Sequence, residues 1–201
     1  MRVLVGCEYS GTVREAFRKL GHDAWSCDLL PADDASPHHI QGDVFAAIAS
    51  REWDLICLHP PCTALCVSGN AHYGTGMQKH QQRIESAEWT RKLWDFARKH
   101  CPRVALENPV GVLPRLADMP VSQYIQPWQF GHAESKRTGL WLAGLSLLAE
   151  TDNVKHEYDQ LPKSKQQRLH WLPPSKDRWK IRSKTFDGIA AAMADQWSLA
   201  N

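Results

Sequence analysis

The chain of 201 residues predicts an α/β fold, with a mostly parallel sheet and helices on both faces. Two observations carry this. Short apolar runs, Arg2 to Cys7, Asp54 to Leu58 and Arg103 to Leu106, read as buried strands and alternate with segments of helical spacing. One of those runs stops abruptly at Pro60-Pro61-Cys62, where two prolines without N–H groups end the ladder and aim the next residue away from the sheet.

The elements follow in order. After the strand Arg2 to Cys7, Gly11 to Leu20 is a helix through Val13, Ala16, Phe17 and Leu20, closed by Gly21 as a C′ glycine. Asp23 to Leu29 is a second strand, Pro31 to Gln41 a loop, Val44 to Ala49 a short helix and Asp54 to Leu58 a third strand. Beyond a polar loop from Ser68 to Gly76, Gln81 to His100 is a long amphipathic helix through Ile84, Ala87, Leu93, Trp94 and Ala97. Arg103 to Leu106 is the next strand. Tyr124 to Phe130 and Gly139 to Ala143 read as two more, paired as a hairpin around Gly131 to Thr138. Thr151 to Lys180 is irregular, rich in Pro, Lys and Trp, and Phe186 to Leu199 is a closing helix packed through Ile189, Ala190, Met193 and Trp197.

The length suits one domain over residues 1–201. With 43% hydrophobic and 23% charged residues, no apolar run reaches membrane-spanning length, and Met1-Arg2-Val3 enters a strand without a signal peptide. A cytoplasmic protein with its six cysteines reduced is expected. The net charge of +2 neither demands nor excludes a polyanion, but Lys155 to Lys184 is basic and interleaved with Trp171 and Trp179. That stretch suits either a solvated face or a nucleic-acid surface.

Candidate site residues sit at the ends of the strands, where α/β sheets bind ligands. Cys62 is the candidate nucleophile and Glu107, in Glu107-Asn108-Pro109, the candidate proton donor. A thiolate needs help at neutral pH, and Arg137 is a candidate partner, against the plainer reading of a surface arginine. The loop Glu8-Tyr9-Ser10-Gly11 joins a strand to a helix, although it lacks the full glycine fingerprint of a dinucleotide site. Asp28 and Asp43 fall at the next strand ends, so the three positions suit an adenosine-containing cofactor; as helix caps or loop acids they would be purely structural. Zinc held by Cys57, His59, Cys62 and Cys66 is a weaker reading, because the spacing has no paired CxxC, and His38-His39 reads as solvated loop.

The order of these pieces resembles the DNA cytosine-C5 methyltransferases. Val3 to Leu20 is similar to that family's opening cofactor motif, Asp28 to its ribose-binding acid and Gly42-Asp43 to the motif that holds the adenine amino group. Pro60-Pro61-Cys62 matches the nucleophile motif, Glu107-Asn108-Pro109 resembles the Glu-Asn-Val motif, and Lys136-Arg137 the late arginine motif. The resemblance implies a Rossmann-like S-adenosylmethionine-dependent fold. It implies Cys62, Glu107 and Arg137 as catalytic residues, and Glu8, Tyr9, Ser10, Gly11, Asp28, Asp43 and Pro60 around the cofactor. Cys62 would add to C6 of cytosine, Glu107 would bond N3 and the exocyclic amine, and Arg137 would steady the base or its phosphate. An extruded base would stack on an aromatic ring such as Tyr73 or Trp171.

The sequence departs from the family at several points. The opening motif lacks its run of glycines, His59 stands where glycine is customary, and the Glu motif ends in Pro109. The interval from Thr138 to Lys184 is too short for a target-recognition region, and an irregular basic insertion at about 151–184 takes its place, as in compact proteins carried by phages and prophages. DNA, duplex or single-stranded, and a pyrimidine nucleotide are therefore both retained as substrates. A non-catalytic nucleic-acid or cofactor-binding module and an exocyclic amino methyltransferase are the rivals from other classes; no metal is expected.

Overall fold

The structure, a computed structural model, describes residues 1–198. The chain runs β1 (Arg2–Gly6), α1 (Thr12–Lys19), β2 (Asp23–Asp28), β3 (His39–Gln41), α2 (Val44–Ala49), β4 (Leu55–Leu58), α3 (Asn70–Tyr73) and α4 (His80–His100). It continues through β5 (Val104–Pro109), α5 (Leu113–Leu116), β6 (Gln123–Ile125), β7 (Thr138–Ala143), α6 (Lys155–Gln160), α7 (Lys163–Gln166), α8 (Arg178–Ser183) and α9 (Asp187–Ser198). The strands form one sheet in the order β3-β2-β1-β4-β5-β7-β6. β1 to β5 are mutually parallel, whereas β7 runs antiparallel to both β5 and β6.

Because successive side chains of a strand point to opposite faces, each central strand feeds two cores. Leu4, Ile56, Leu58, Val104 and Leu106 meet Ile48, Leu93, Trp94 and Ala97 of α2 and α4. Val3, Val5, Leu55 and Ala105 meet Val13, Phe17, Ile189, Met193 and Trp197 of α1 and α9 on the other face. Phe17 and Trp197 are sealed from water, and truncating either to alanine should cost roughly 3–5 kcal/mol. α1 ends as its sequence dictates, with Gly21 in the left-handed region at φ 81° and its N–H on the Arg18 carbonyl at 2.9 Å.

Five expectations need correction. Pro31 to Gln41 is not wholly loop, since β3 adds an edge strand to β2, and His39 is fixed there by Ser26 Oγ at 2.8 Å and the Leu30 carbonyl at 2.9 Å. The polar loop from Ser68 to Gly76 contains α3. The segment from Thr151 to Lys180 holds α6, α7 and the start of α8. β5 runs three residues past Leu106, because Glu107, Asn108 and Pro109 pair with Leu140, Gly139 and Thr138. The expected hairpin exists, but its first strand is shortened to Gln123–Ile125 by a 3₁₀ turn at Pro127–Gln129. Leu199, expected in the closing helix, lies outside the described residues.

The basic excursion leaves and returns at one place. Asp152 bridges Phe130 and accepts the Gly131 N–H at 2.7 Å, while the Gly188 N–H donates to His132 Nε2 at 2.9 Å. Among the described residues no helix is long and apolar enough to cross a membrane.

Candidate active site at the carboxyl ends of the strands

Pro60-Pro61 end β4 as expected, and Cys62 stands half-buried in the loop that follows. Leu58 of β4 is in register with Leu106 of β5, so the residues after each strand are neighbours: Asn108 Nδ2 donates to the Pro60 carbonyl at 3.0 Å, and His59 Nδ1 is hydrogen-bonded to Glu107 Oε2 at 3.2 Å. Glu107 in turn lies within electrostatic reach of Cys62. Cys62 and Glu107 therefore share one corner of the sheet.

Their electrostatics are set locally. Burial works against ionisation of Glu107, yet the hydrogen bond from His59, the charges of Lys136 and His59 and a hydrogen bond from Thr138 outweigh it and hold the carboxyl below its ordinary range. The Cys62 thiol is pushed up, first by its hydrogen bond to Cys66 and by burial, then by the charges of Cys66 and Glu107; Lys136 opposes this. Cys66 moves the other way, to about 5, as acceptor of the Cys62 thiol and with help from Ser68, the Gly69 N–H and Arg182, although burial opposes it. The two thiols, one helical turn apart, titrate as a pair, with Cys62 raised and Cys66 lowered.

Arg137, expected beside Cys62, is exposed and stacks on Tyr124, with its guanidinium carbon 4.3 Å from the ring centroid. The cation facing Cys62 and Glu107 is Lys136. Residues next to each other at the start of an extended strand point to opposite sides, which explains the exchange. Tyr73 lies under Lys79, and Trp171 is exposed.

The expected cofactor residues line the ends of β1, β2, β3 and β4, but several have structural duties. Glu8, only 5% exposed, takes the free N–H groups at the start of α1, those of Val13 at 2.7 Å and Arg14 at 3.2 Å, and burial raises its pKa despite these bonds and His59. It is a helix cap and is not presented to a ligand. Gly11 adopts φ 71°, and a Cβ there would strike the Arg14 guanidinium, so its glycine serves the turn. Asp43 caps α2 through the Ala46 N–H at 3.0 Å, and Asp28 accepts the Leu30 N–H at 3.0 Å. Both keep part of their surface in solvent and flank Cys7, a non-glycine residue at φ 60°. Ser10 bonds Glu8 and Thr12, and the Pro60 carbonyl is taken by Asn108.

Helix α8 crosses this crevice. Trp179 packs on Tyr9 with ring centroids 5.5 Å apart, Ser183 bonds the Tyr9 hydroxyl at 3.2 Å and Lys180 pairs with Asp33 at 3.2 Å. On the nucleophile side, Arg182 reaches Ser68 at 3.5 Å, and Lys136 Nζ donates to the carbonyls of Ser183 and Lys184. Two concave surfaces of about 450 and 780 Å³ lie elsewhere, beside Trp141 and beside Met1, so neither adjoins Cys62. Among the described residues no group of three or more His, Cys, Asp or Glu side chains is arranged to hold a metal ion.

Sequence reasoning passed over His59, Cys66 and Asn108 as members of this site. In the sequence His59 stands out as a departure from the family's glycine and as a possible metal ligand, Cys66 as a possible metal ligand, and Asn108 as the middle of a motif. The signal available for Cys66 was its spacing of four from Cys62, one helical turn.

No family model matches the chain, and no curated protein matches it. Among solved structures it is similar to the Entamoeba histolytica methyltransferase EhMeth, with a TM-score of 0.51 at 12% identity over 77% of this chain and 57% of that one. It is also similar to the S. pombe Dnmt2 methyltransferase, with a TM-score of 0.44 at 13% identity over 88% of this chain and 61% of that one. The chain spans less than two thirds of the length of either. The strand order and the likeness to EhMeth together give the fold: a Rossmann-like sheet of the methyltransferase type, mostly parallel and covered by helices on both faces.

Proposed function

We propose that the protein is an S-adenosylmethionine-dependent methyltransferase acting on cytosine C5, built as one methyltransferase-like domain with a basic excursion in place of a recognition region. The observation that carries the reading is the corner formed by Cys62 and Glu107, tied by the bonds from Asn108 to Pro60 and from His59 to Glu107. A thiol beside a carboxyl suits addition to C6 of a pyrimidine with the ring nitrogen held at N3.

The cofactor side fits a sulfonium better than a dinucleotide. A pyrophosphate would need the free N–H groups at the start of α1, and the Glu8 carboxylate already holds two of them. Asp28 and Asp43 make this end of the crevice acidic, which complements a cation. Tyr9, Asp28 and Asp43 would hold the adenosine moiety. S-adenosylmethionine supplies an electrophilic methyl group when bound. Cys62 contributes its sulfur to C6, passing its proton to Cys66; Glu107 bonds the N3 edge, and Lys136 steadies the negative charge there.

DNA is the substrate this reading favours, with the exposed Trp171, Trp179 and their basic neighbours as the contact surface in a cytoplasmic protein. A second reading has its own support: α8 lies across the crevice, which suits a free pyrimidine nucleotide. The test offers labelled S-adenosylmethionine with duplex DNA, single-stranded DNA, RNA and dCMP to the wild type and to Cys62→Ser. Methyl transfer to C5 that vanishes in the variant is expected. Transfer that survives it would indicate amino-group chemistry, and cofactor binding without transfer a non-catalytic module.

A further inference from the structure

His59 stands in the crevice without a role in the scheme above. Its backbone N–H is fixed to the Gly6 carbonyl at 2.9 Å, which sets the ring between the ends of β1 and β5. Nδ1 meets Glu107 Oε2 at 3.2 Å, while Nε2 is buried with no hydrogen-bond partner. Both side chains are close to nine-tenths covered, at 11% and 12% exposure. A buried imidazole nitrogen left without a partner is costly, so a purely structural histidine is a poor account of this position.

The chemistry of Glu107 supplies the reason. Cytosine N3 is an acceptor, so a carboxyl must carry a proton to bond it, whereas an ionised carboxylate can only accept from the exocyclic amine. The surroundings hold Glu107 ionised. The proton that N3 receives must therefore come from elsewhere.

We propose that His59 is the positioning residue that supplies this proton, through Glu107; this rests on the cytosine-C5 reading. In its protonated form His59, set between the Glu8 and Glu107 carboxyl groups, holds Glu107 through Nδ1–H. As the Cys62 sulfur bonds C6, the C5–C6 π electrons move toward C4 and the C4–N3 π electrons settle on N3. The His59 Nδ1 proton passes to Oε2 of Glu107, and the neutral carboxyl so formed turns and gives that proton to N3, leaving Glu107 ionised again and His59 neutral. When sulfur later leaves C6, N3 returns its proton by the same route, so His59 ends as it began. Other titratable groups face the pair: Glu8 from the β1–α1 loop with Arg14 of α1 and Cys57 of β4 around it, Lys136 from the segment before β7, and Cys62.

The test has two arms. In ¹⁵N-histidine-labelled protein, the His59 ring resonances should titrate with a midpoint that moves by about one pH unit or more in Glu107→Gln, as removal of an adjacent charge requires. In transfer assays, His59→Gln keeps a hydrogen-bond donor for Glu107 but no transferable proton. Its kcat for C5 methylation should fall on the order of 10²-fold with the cofactor KM unchanged and the pH profile altered. His59→Gly should be rescued by added imidazole, which keeps the proposal testable if the glutamine variant folds poorly. A glutamine variant with the wild-type rate and profile, or an unmoved His59 midpoint, would overturn it. Absence of C5 transfer by the wild type would overturn both the reading and the proton's role, and a surviving His59–Glu107 coupling in the spectra would then mark the pair as structural.

Discussion

Cys66 sits one turn beyond Cys62, with its N–H on the Cys62 carbonyl at 2.9 Å and its sulfur accepting the Cys62 thiol. Thiolate character therefore rests on the second cysteine. Iodoacetamide at about pH 7 should alkylate Cys66 first, since a thiol lowered to about 5 is ionised there, while burial raises Cys7, Cys27, Cys57 and Cys101. In Cys62→Ala the donor is gone and the alkylation profile of Cys66 should shift to higher pH. Peptide mass spectrometry across a pH series reads both, and an unchanged profile would show that Cys62 does not lower Cys66.

The hold of α8 on the crevice should be measurable. Trp179→Ala removes the ring packed on Tyr9, a contact worth about 1 kcal/mol. Limited trypsin digestion between Lys176 and Lys184 should become faster than in the wild type. S-adenosylmethionine should slow the cut in the wild type more than in the variant.

Glu8 caps α1 with both carboxyl oxygens. Glu8→Ala should cost about 1–2 kcal/mol in urea unfolding through loss of the cap. Ligand contact is not its role, so cofactor affinity per folded molecule should change little. A large loss of affinity in fully folded protein would restore Glu8 to the cofactor site.

The Glu107 carboxyl is held below its ordinary range, so its ionisation favours the folded state. That contribution is complete above the unfolded-state pKa and is lost as pH falls through the lower folded-state value. The stability advantage of the wild type over Glu107→Gln should be largest near neutrality and shrink in acid. Urea midpoints at several pH values test this, and a gap that widens in acid would reverse the assignment.

The sheet was legible because its central strands are apolar runs between helices of clear period, and α1 was read almost to the residue through Phe17, Leu20 and Gly21. β3 escaped because three residues at an edge, His39 to Gln41, show no alternation long enough to register. Helices α6 to α8 escaped for a related reason: each is six residues or shorter and none has a buried face. At the site, Cys62 and Glu107 came from strand-end logic, and the structure places them in the same corner. Lys136 was displaced by its neighbour Arg137, because a sequence does not say which of two adjacent extended residues turns inward. Asp43 and Gly11 show the opposite lesson, since in each the plain local reading, a cap and a turn, describes the contacts that form.

The return of the chain to one turn has an evolutionary consequence. Asp152 and Gly188 both fasten to the stretch Phe130 to His132, so residues 153–187 form a cassette whose two ends are already joined by the body of the protein. Lengthening such a cassette adds little closure entropy and leaves the strand registers alone. A longer or a shorter insert could be spliced in here without redesigning the sheet beneath.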